Sequence, residues 1–323
     1  ENDWIFSDVT RVMGLENVTG KELGVVFGDY DQDGDPDLYL ANDMTPNALF
    51  RNEGNRFVEY GLASGTSLND AGGIEAGMGV DMADVDGDGW QDIFVTNFQW
   101  ESNTLYKNIS DGFFVDATVS SGVHKISMPY LGFGTLFLDS DLDGDLDIFV
   151  ANGHVYDNVK TIDHASSYAQ RNQLLLNNGE GVFVEDIDFG RDELFVTRGL
   201  ASSDYDNDGD PDVALSNNGG PGQLLQNNSS TFNSWIGVKL MGDLNNIDGI
   251  GALVTVKYGT YSLQRELRTG GSYLSGHDLR LLFGLESADR VDSISVAWPG
   301  GDTETVISPV INTYVEIKQR KRP

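Results

Sequence analysis

Apolar residues in this chain come in short runs cut off by glycine, aspartate or asparagine, without the i, i+3, i+4 spacing of a long helix. The runs recur in a fixed order. Four copies of a first strand, "GVVFGD", "GMGVDMAD", "GFGTLFLD" and "GLASSD", each lead through an acidic stretch into a second strand ending in asparagine, "LYLAN", "IFVTN", "IFVAN" and "VALSN". A third strand follows in each copy, "NALFRN", "NTLYKN", "NQLLLN" and "GQLLQN", and the first three copies add an outer one, "RFVEY", "FFVDAT" and "VFVED".

Four short strands in a meander, repeated every 55 to 65 residues, predict β-propeller blades over residues 1–228. The fourth copy has no outer strand of its own. "WIFSDVT" at 4–10 reads as such a strand with no blade before it, so it either closes a ring of four blades beside Leu224 and Leu225 or belongs to a larger ring, the arrangement favoured here. From residue 229 the acidic repeat stops, and seven alternating strands with a "PGG" turn at 299–301 predict a small β-sandwich over 229–323. The fold class is all-β.

The acidic stretches begin at Asp29, Asp84, Asp139 and Asp204, at intervals of 55, 55 and 65 residues, and share the frame D-x-D-x-D-G-x-x-D. Oxygens at positions 1, 3 and 5, glycine at 6 and a carbonyl at 7 match the first half of an EF-hand loop; position 12 is apolar, so the aspartate at 9 must close the site. The side-chain ligands expected are Asp29, Asp31, Asp33 and Asp37; Asp84, Asp86, Asp88 and Asp92; Asp139, Asp141, Asp143 and Asp147; and Asp204, Asp206, Asp208 and Asp212. Asp35, Trp90, Asp145 and Asp210 would contribute carbonyls, since a place that accepts Asp or Trp is using its backbone. Turn formation needs only one or two such residues, and four crowded carboxylates repel without a cation. Hard oxygen donors without His or Cys point to Ca²⁺, one ion per loop, in a structural role.

Composition narrows the partners. With 51 acidic and 20 basic residues the net charge is −31, which disfavours nucleic acid and anionic membranes. No apolar run is long enough to span a membrane, and the absence of cysteine excludes disulfides and thiolate chemistry. The chain starts without methionine, as a processed or partial form would. No nucleophile elbow, zinc-protease motif or phosphate loop occurs, and His124, His154, His164 and His277 are scattered, so no enzyme is expected. His154 leads into an insertion, 153–171, which accounts for the longer interval and is where a propeller places a binding surface. Asp243, Asn245 and Asp248 read as an Asx-rich turn before a metal site, and Asn17, Asn108, Asn227 and Asn228 head glycosylation sequons.

The stretches "DLYLANDMTPNALFRN", "EAGMGVDMADVDGDGWQDIFVTNF" and "LDIFVANGHVY" resemble FG-GAP/VCBS repeats of integrin-α-like propellers, more closely those related to cartilage acidic protein. "DGIGALVTVKYG", "RELRTGGSYLSGHDLRLLFGL" and "VDSISVAWPGG" resemble the ASPIC/UnbV domain of that family. The resemblance implies a seven-bladed ring, secretion, and a binding or adhesive role toward a protein or glycan at the cell surface or matrix, with self-association as a further option. The alternatives are a subunit of a surface appendage and a polysaccharide-active propeller enzyme.

Overall fold

The computed structural model describes residues 6–16, 18–229 and 232–320. Three four-stranded antiparallel sheets follow one another: β1 (Glu22–Gly28), β2 (Asp37–Asn42), β3 (Ala48–Asn52) and β4 (Phe57–Glu59); β5 (Val80–Ala83), β6 (Asp92–Val95), β7 (Thr104–Ser110) and β8 (Phe113–Asp116); β9 (Gly132–Leu138), β10 (Asp147–Asn152), β11 (Gln173–Asn177) and β12 (Phe183–Glu185). A fourth sheet has three strands, β13 (Thr197–Ser203), β14 (Asp212–Asn217) and β15 (Gln223–Leu225). Within each sheet the strands pair in chain order, as a meander requires.

The blades stand side by side with their first strands adjacent, β1 to β5 to β9 to β13. Alternation gives each second strand two apolar faces. Tyr39, Ala41 and Leu49 meet Val80, Met82 and Ile93 between the first two blades, and Phe94 and Leu105 meet Ile148, Val150 and Leu175 between the next two. Phe149 and Ala151 meet Leu200, Val213 and Leu215 between the last two. The first strands come close because glycines line them: a Cβ on Gly79 would lie 2.0 Å from the Phe133 carbonyl oxygen.

A regular latch joins the blades. Asn108 Nδ2 donates to the Tyr30 carbonyl (2.9 Å), Asn177 Nδ2 to Val85 (2.8 Å) and Asn227 Nδ2 to Ser140 (2.8 Å), so in the second, third and fourth blades the asparagine at the end of the third strand holds the previous blade's acidic loop. That use corrects the sequon reading at Asn108, which is fully buried. Asn17 lies outside the described residues.

The N-terminal strand expected over 4–10 is also corrected. Trp4 and Ile5 lie outside the described residues; residues 6–10 form no strand and do not pair with β15. Asp8 accepts the Thr10 N–H at 3.0 Å, and a turn follows, closed by Met13 N–H to the Val9 carbonyl at 2.8 Å. The local Asx bond competes with the extended conformation that the apolar alternation favours. Leu15 and Val18 then lie against Leu38, Ala48 and Phe50 of the first blade.

The seven C-terminal strands form two facing sheets. One has the order β19 (Leu281–Gly284), β16 (Trp235–Met241), β22 (Tyr314–Lys318), with β16 and β22 parallel; the other is β18 (Tyr261–Glu266), β17 (Leu253–Tyr258), β20 (Ser293–Ala297), β21 (Thr303–Ile307). Their core holds Ile236, Val238, Val254, Val256, Phe283, Ile294, Val296 and Trp298.

The segment from Arg268 to Asp278, between β18 and β19, runs along the blades' first strands. Ser272 exchanges two backbone hydrogen bonds with Val80, and its hydroxyl accepts the Thr135 N–H at 3.2 Å. The Ser275 hydroxyl accepts from Leu200 N–H (3.2 Å) and His277 Nδ1 from Ser202 N–H (3.3 Å). Inner strand edges that would otherwise be unpaired thus find partners.

Candidate metal centres

Each acidic loop joins the first strand of a blade to the second. The glycine at position 6, Gly34, Gly89, Gly144 or Gly209, has φ between 92° and 100°, the left-handed turn that only glycine adopts without strain. This turn folds the loop back over its own carboxylates. Carboxylate oxygens of Asp29, Asp31 and Asp33 lie within 4.8 Å of one another, as do those of Asp84, Asp86 and Asp92; of Asp139, Asp141 and Asp143; and of Asp204, Asp206 and Asp212. Among the described residues, these four groups are placed so that each could hold a metal ion.

The position-7 side chains, Asp35, Trp90, Asp145 and Asp210, join none of the groups. Nor do Asp88 and Asp208 at position 5, whose carboxylates accept the N–H of the residue two places on, at 2.9 Å from Trp90 and 3.1 Å from Asp210.

Position 9 has a second task. In every repeat one oxygen of this aspartate accepts the N–H of the residue at position 2, and the other accepts the N–H of the third strand's last asparagine: Asp37 from Tyr30 and Asn52, Asp92 from Val85 and Asn108, Asp147 from Ser140 and Asn177, Asp212 from Tyr205 and Asn227. Asp92 and Asp212 also enter the acidic groups, whereas Asp37 and Asp147 do not. Burial pushes Asp37 and Asp92 up to about 8 and Asp147 up to about 6. Hydrogen bonds to the ionised form pull the other way, so the cost of desolvation dominates.

Asp139 supplies the sharpest test of fit to a cation. In the other three loops both oxygens of the position-1 carboxylate accept backbone N–H groups. At Asp139, Oδ2 accepts from Gly144 and Gly284, while Oδ1 is buried without any partner among the described residues, and the residue is only 2% exposed. Burial holds this carboxyl up at about 7, with the Arg265 guanidinium opposing. An orphaned buried carboxylate oxygen costs about 1–3 kcal/mol or more, which a divalent cation between Asp139, Asp141 and Asp143 would remove.

The loops differ in their other neighbours. Lys107 pairs with Asp86 in the second. In the third, Arg265 Nη2 stands 3.3 Å from Asp139 Oδ2. In the fourth, the Tyr314 hydroxyl donates to Asp204 Oδ2 at 2.6 Å and Gln226 to Asp206 at 2.6 Å. At the first, the sandwich brings an acid: Glu266 accepts the Asp29 N–H at 3.2 Å.

A family model of FG-GAP-like repeats matches residues 29–95 and 84–150, and that of ASPIC and UnbV matches residues 242–323. The chain is an FG-GAP repeat protein with a C-terminal ASPIC/UnbV domain. Its fourth repeat, from Asp204, lies outside the matched residues yet keeps the frame, the left-handed glycine and the position-9 bridge. Among solved structures it is similar to an Agrocybe aegerita lectin described as recognising non-reducing terminal N-acetylglucosamine, at 20% identity over 63% of this chain and 52% of that one, TM-score 0.35. It is similar also to the V. cholerae biofilm matrix protein Bap1, at 14% identity over 88% of this chain and 48% of that one, TM-score 0.34. The chain therefore spans about half the length of each. No curated protein sequence matches it.

Outside the FG-GAP loops, the remaining candidates fall into structural settings. The Asp243 carboxylate accepts the N–H of Asn245 (2.8 Å) and Asn246 (3.2 Å), an Asx turn. His154 is buried, its Nδ1 accepting the Tyr156 N–H at 3.0 Å, and burial lowers its pKa; His277 is lowered for the same reason. His124 meets the Ser102 hydroxyl at 3.3 Å, and His164 is exposed. Among the described residues, no helix is long and apolar enough to cross a membrane.

Sequence reasoning missed Arg265, Glu266 and the asparagine latch. The latch had a visible signal, an asparagine at the same place in all four repeats, Asn52, Asn108, Asn177 and Asn227.

Proposed function

We propose that this protein is a calcium-stabilised scaffold of the cell surface or extracellular matrix that binds a protein or glycan and does no chemistry on it. The observation that carries the calcium assignment is Asp139, whose Oδ1 is buried without a hydrogen-bond partner among the described residues and whose carboxylate is grouped with those of Asp141 and Asp143. The same nine-residue frame in all four blades extends it to four ions, each tying the first two strands of its blade together.

The binding role follows from division of labour. The metal loops, the latch and the sandwich strands' contacts lie at the acidic-loop end of the blades, with the 268–278 segment reaching through to Tyr273 at the other end, which leaves the outer loops of that opposite end available for a ligand. Millimolar extracellular calcium matches sites of about 10⁻⁴ to 10⁻³ M affinity. At about 10 mM calcium, tenfold to a hundredfold over such dissociation constants, each site stabilises the fold by about 1.4–2.7 kcal/mol. Excess EDTA should therefore lower the melting temperature by on the order of 10 °C or more, restored by calcium and poorly by magnesium. A melting curve indifferent to EDTA would overturn the assignment.

A further inference from the structure

We infer that the loops at the end of the blades away from the acidic loops form a site for a neutral glycan chain, with Trp100 and Tyr156 as its stacking surfaces; this rests on the binding role proposed above. The loops joining second to third strands, 43–47, 96–103, 153–172 and 218–222, all lie at this end. A connected series of rings crosses it from the axis outward. Tyr273 meets Phe133 edge-on at 5.0 Å, Phe98 packs in the same cluster and meets His154 at 5.5 Å, and His154 meets Tyr156 at 5.6 Å. The inner members are buried or half-buried; Tyr156 is 56% exposed and Trp100, two residues beyond Phe98, is 50% exposed.

Both outer rings are held in place before any ligand arrives. Trp100 sits at φ 73° and Ser102 at φ 55°, two non-glycine residues in the left-handed region within one turn, a conformation that persists only where the surroundings impose it. They do impose it: Trp100 N–H donates to the Met128 carbonyl, Glu101 accepts the Ala76 N–H, and the indole N–H donates to Asp163 Oδ2 at 3.0 Å. Tyr156 is tied through its N–H to His154 Nδ1, and Arg198 donates to the carbonyls of Gly153 and His154, at 2.9 and 3.0 Å. A strained turn at Trp100 and the ties that hold both exposed aromatic residues fit a ligand that stacks flat on rings and gains from their being fixed.

The surrounding chemistry selects the class. The C–H face of a pyranose stacks on an aromatic ring while its hydroxyls seek acceptors and amides, and exposed Asp157 and Asn158 adjoin Tyr156, with Glu101 and Asp163 beside Trp100. Carboxylates at the site and a net charge of −31 repel uronate- or sulfate-bearing polymers, so the sugars proposed carry no negative charge.

The test uses the full chain with saturating calcium on three sets of immobilised probes: neutral hexasaccharides of glucose, mannose and N-acetylglucosamine; the polyanions alginate and heparin; and matrix proteins. The expected result is binding to a neutral hexasaccharide that falls about tenfold or more in Trp100→Ala and in Tyr156→Ala. Trp100→Phe, which keeps a ring, should retain most of it, and Leu244→Ala, an exposed apolar residue of the sandwich, should change nothing. Melting temperature separates lost binding from lost folding, and Tyr156→Ala should leave it unchanged. Neutral-glycan binding indifferent to both alanine variants would overturn the site. Binding only to polyanions or proteins would overturn the glycan class and leave the binding role standing; binding to none of the three sets would count against both.

Discussion

Asp29 and Asp139 hold the same place in the first and third FG-GAP loops, yet the ASPIC/UnbV domain treats them in opposite ways. Its strand β18 ends in Arg265 and Glu266, and because successive strand residues point to opposite sides, the arginine goes to Asp139 and the glutamate to Asp29. Arg265 is largely buried, 5.0 Å from the Phe283 ring centre, and partly neutralises a carboxyl that burial raises to about 7. Asp29 is raised to about 6 by burial in the first place, with Glu266 adding like-charge repulsion. One motif is thus set in two electrostatic environments by two adjacent residues. The sandwich supplies part of the third loop's counter-charge, whereas at the first loop it adds like charge and only Arg51, acting on Asp31, opposes the crowding.

The largest break in this comparison should come from Arg265→Met. At pH 8 the variant leaves the buried Asp139 carboxyl without the guanidinium that opposes its upward shift, and should lose up to about 3–5 kcal/mol by denaturant unfolding in EDTA, less as the carboxyl takes up a proton. Calcium should recover most of that loss, because the ion takes over the arginine's charge. A loss of equal size with and without calcium would show that Arg265 serves only the sandwich interface.

A smaller effect is expected from pH. Asp37 and Asp92 are held up to about 8, Asp139 to about 7, and Asp29, Asp143 and Asp147 to about 6, all chiefly by burial. A carboxyl raised in the folded state binds its proton more tightly there, so its stabilising effect is full below the unfolded value near 4 and is lost as pH rises through the folded one. The calcium-free protein should therefore become less stable from about pH 5 to pH 8. With saturating calcium the slope should reverse, since the bound form is the ionised one. Thermal melts at both pH values, with calcium and with EDTA, give the four numbers needed; parallel slopes would contradict the account.

The smallest change should follow Glu266→Gln. It keeps an acceptor for the Asp29 N–H and removes the like charge, so the calcium-free protein at pH 8 should gain under about 1 kcal/mol while the first loop binds calcium more weakly. No change in the first site's affinity would mean that Glu266 acts only as a hydrogen-bond acceptor.

Much of this was legible in the sequence because it is local and repeated. The strands of all four blades, the three-stranded fourth and the seven strands of the sandwich follow from apolar runs between turn residues, and the left-handed glycine follows from the loop frame. What was not legible depends on partners far along the chain. "SLQRELRT" reads as an ordinary half-exposed strand, and nothing in it shows that Arg265 will meet a residue in the third blade. "GGSYLSGHD" reads as a loop, whereas its serines and histidine cap strand edges in three blades. Asn108 misled because a sequon is a three-residue pattern, while its use as a latch needs the preceding blade. The N-terminal segment misled because one side-chain bond, Asp8 to Thr10, outweighs a weak alternation.

The central claim is that each FG-GAP loop binds one calcium ion through its aspartates, and a calorimetric calcium titration of the chelator-stripped protein tests it most directly. The account predicts four ions per chain, three in Asp143→Ala, whose carboxylate belongs to the third group, and four in Asp145→Ala, whose side chain belongs to none. Absence of calcium binding in the unaltered protein, or equal loss of an ion in the two variants, would contradict it.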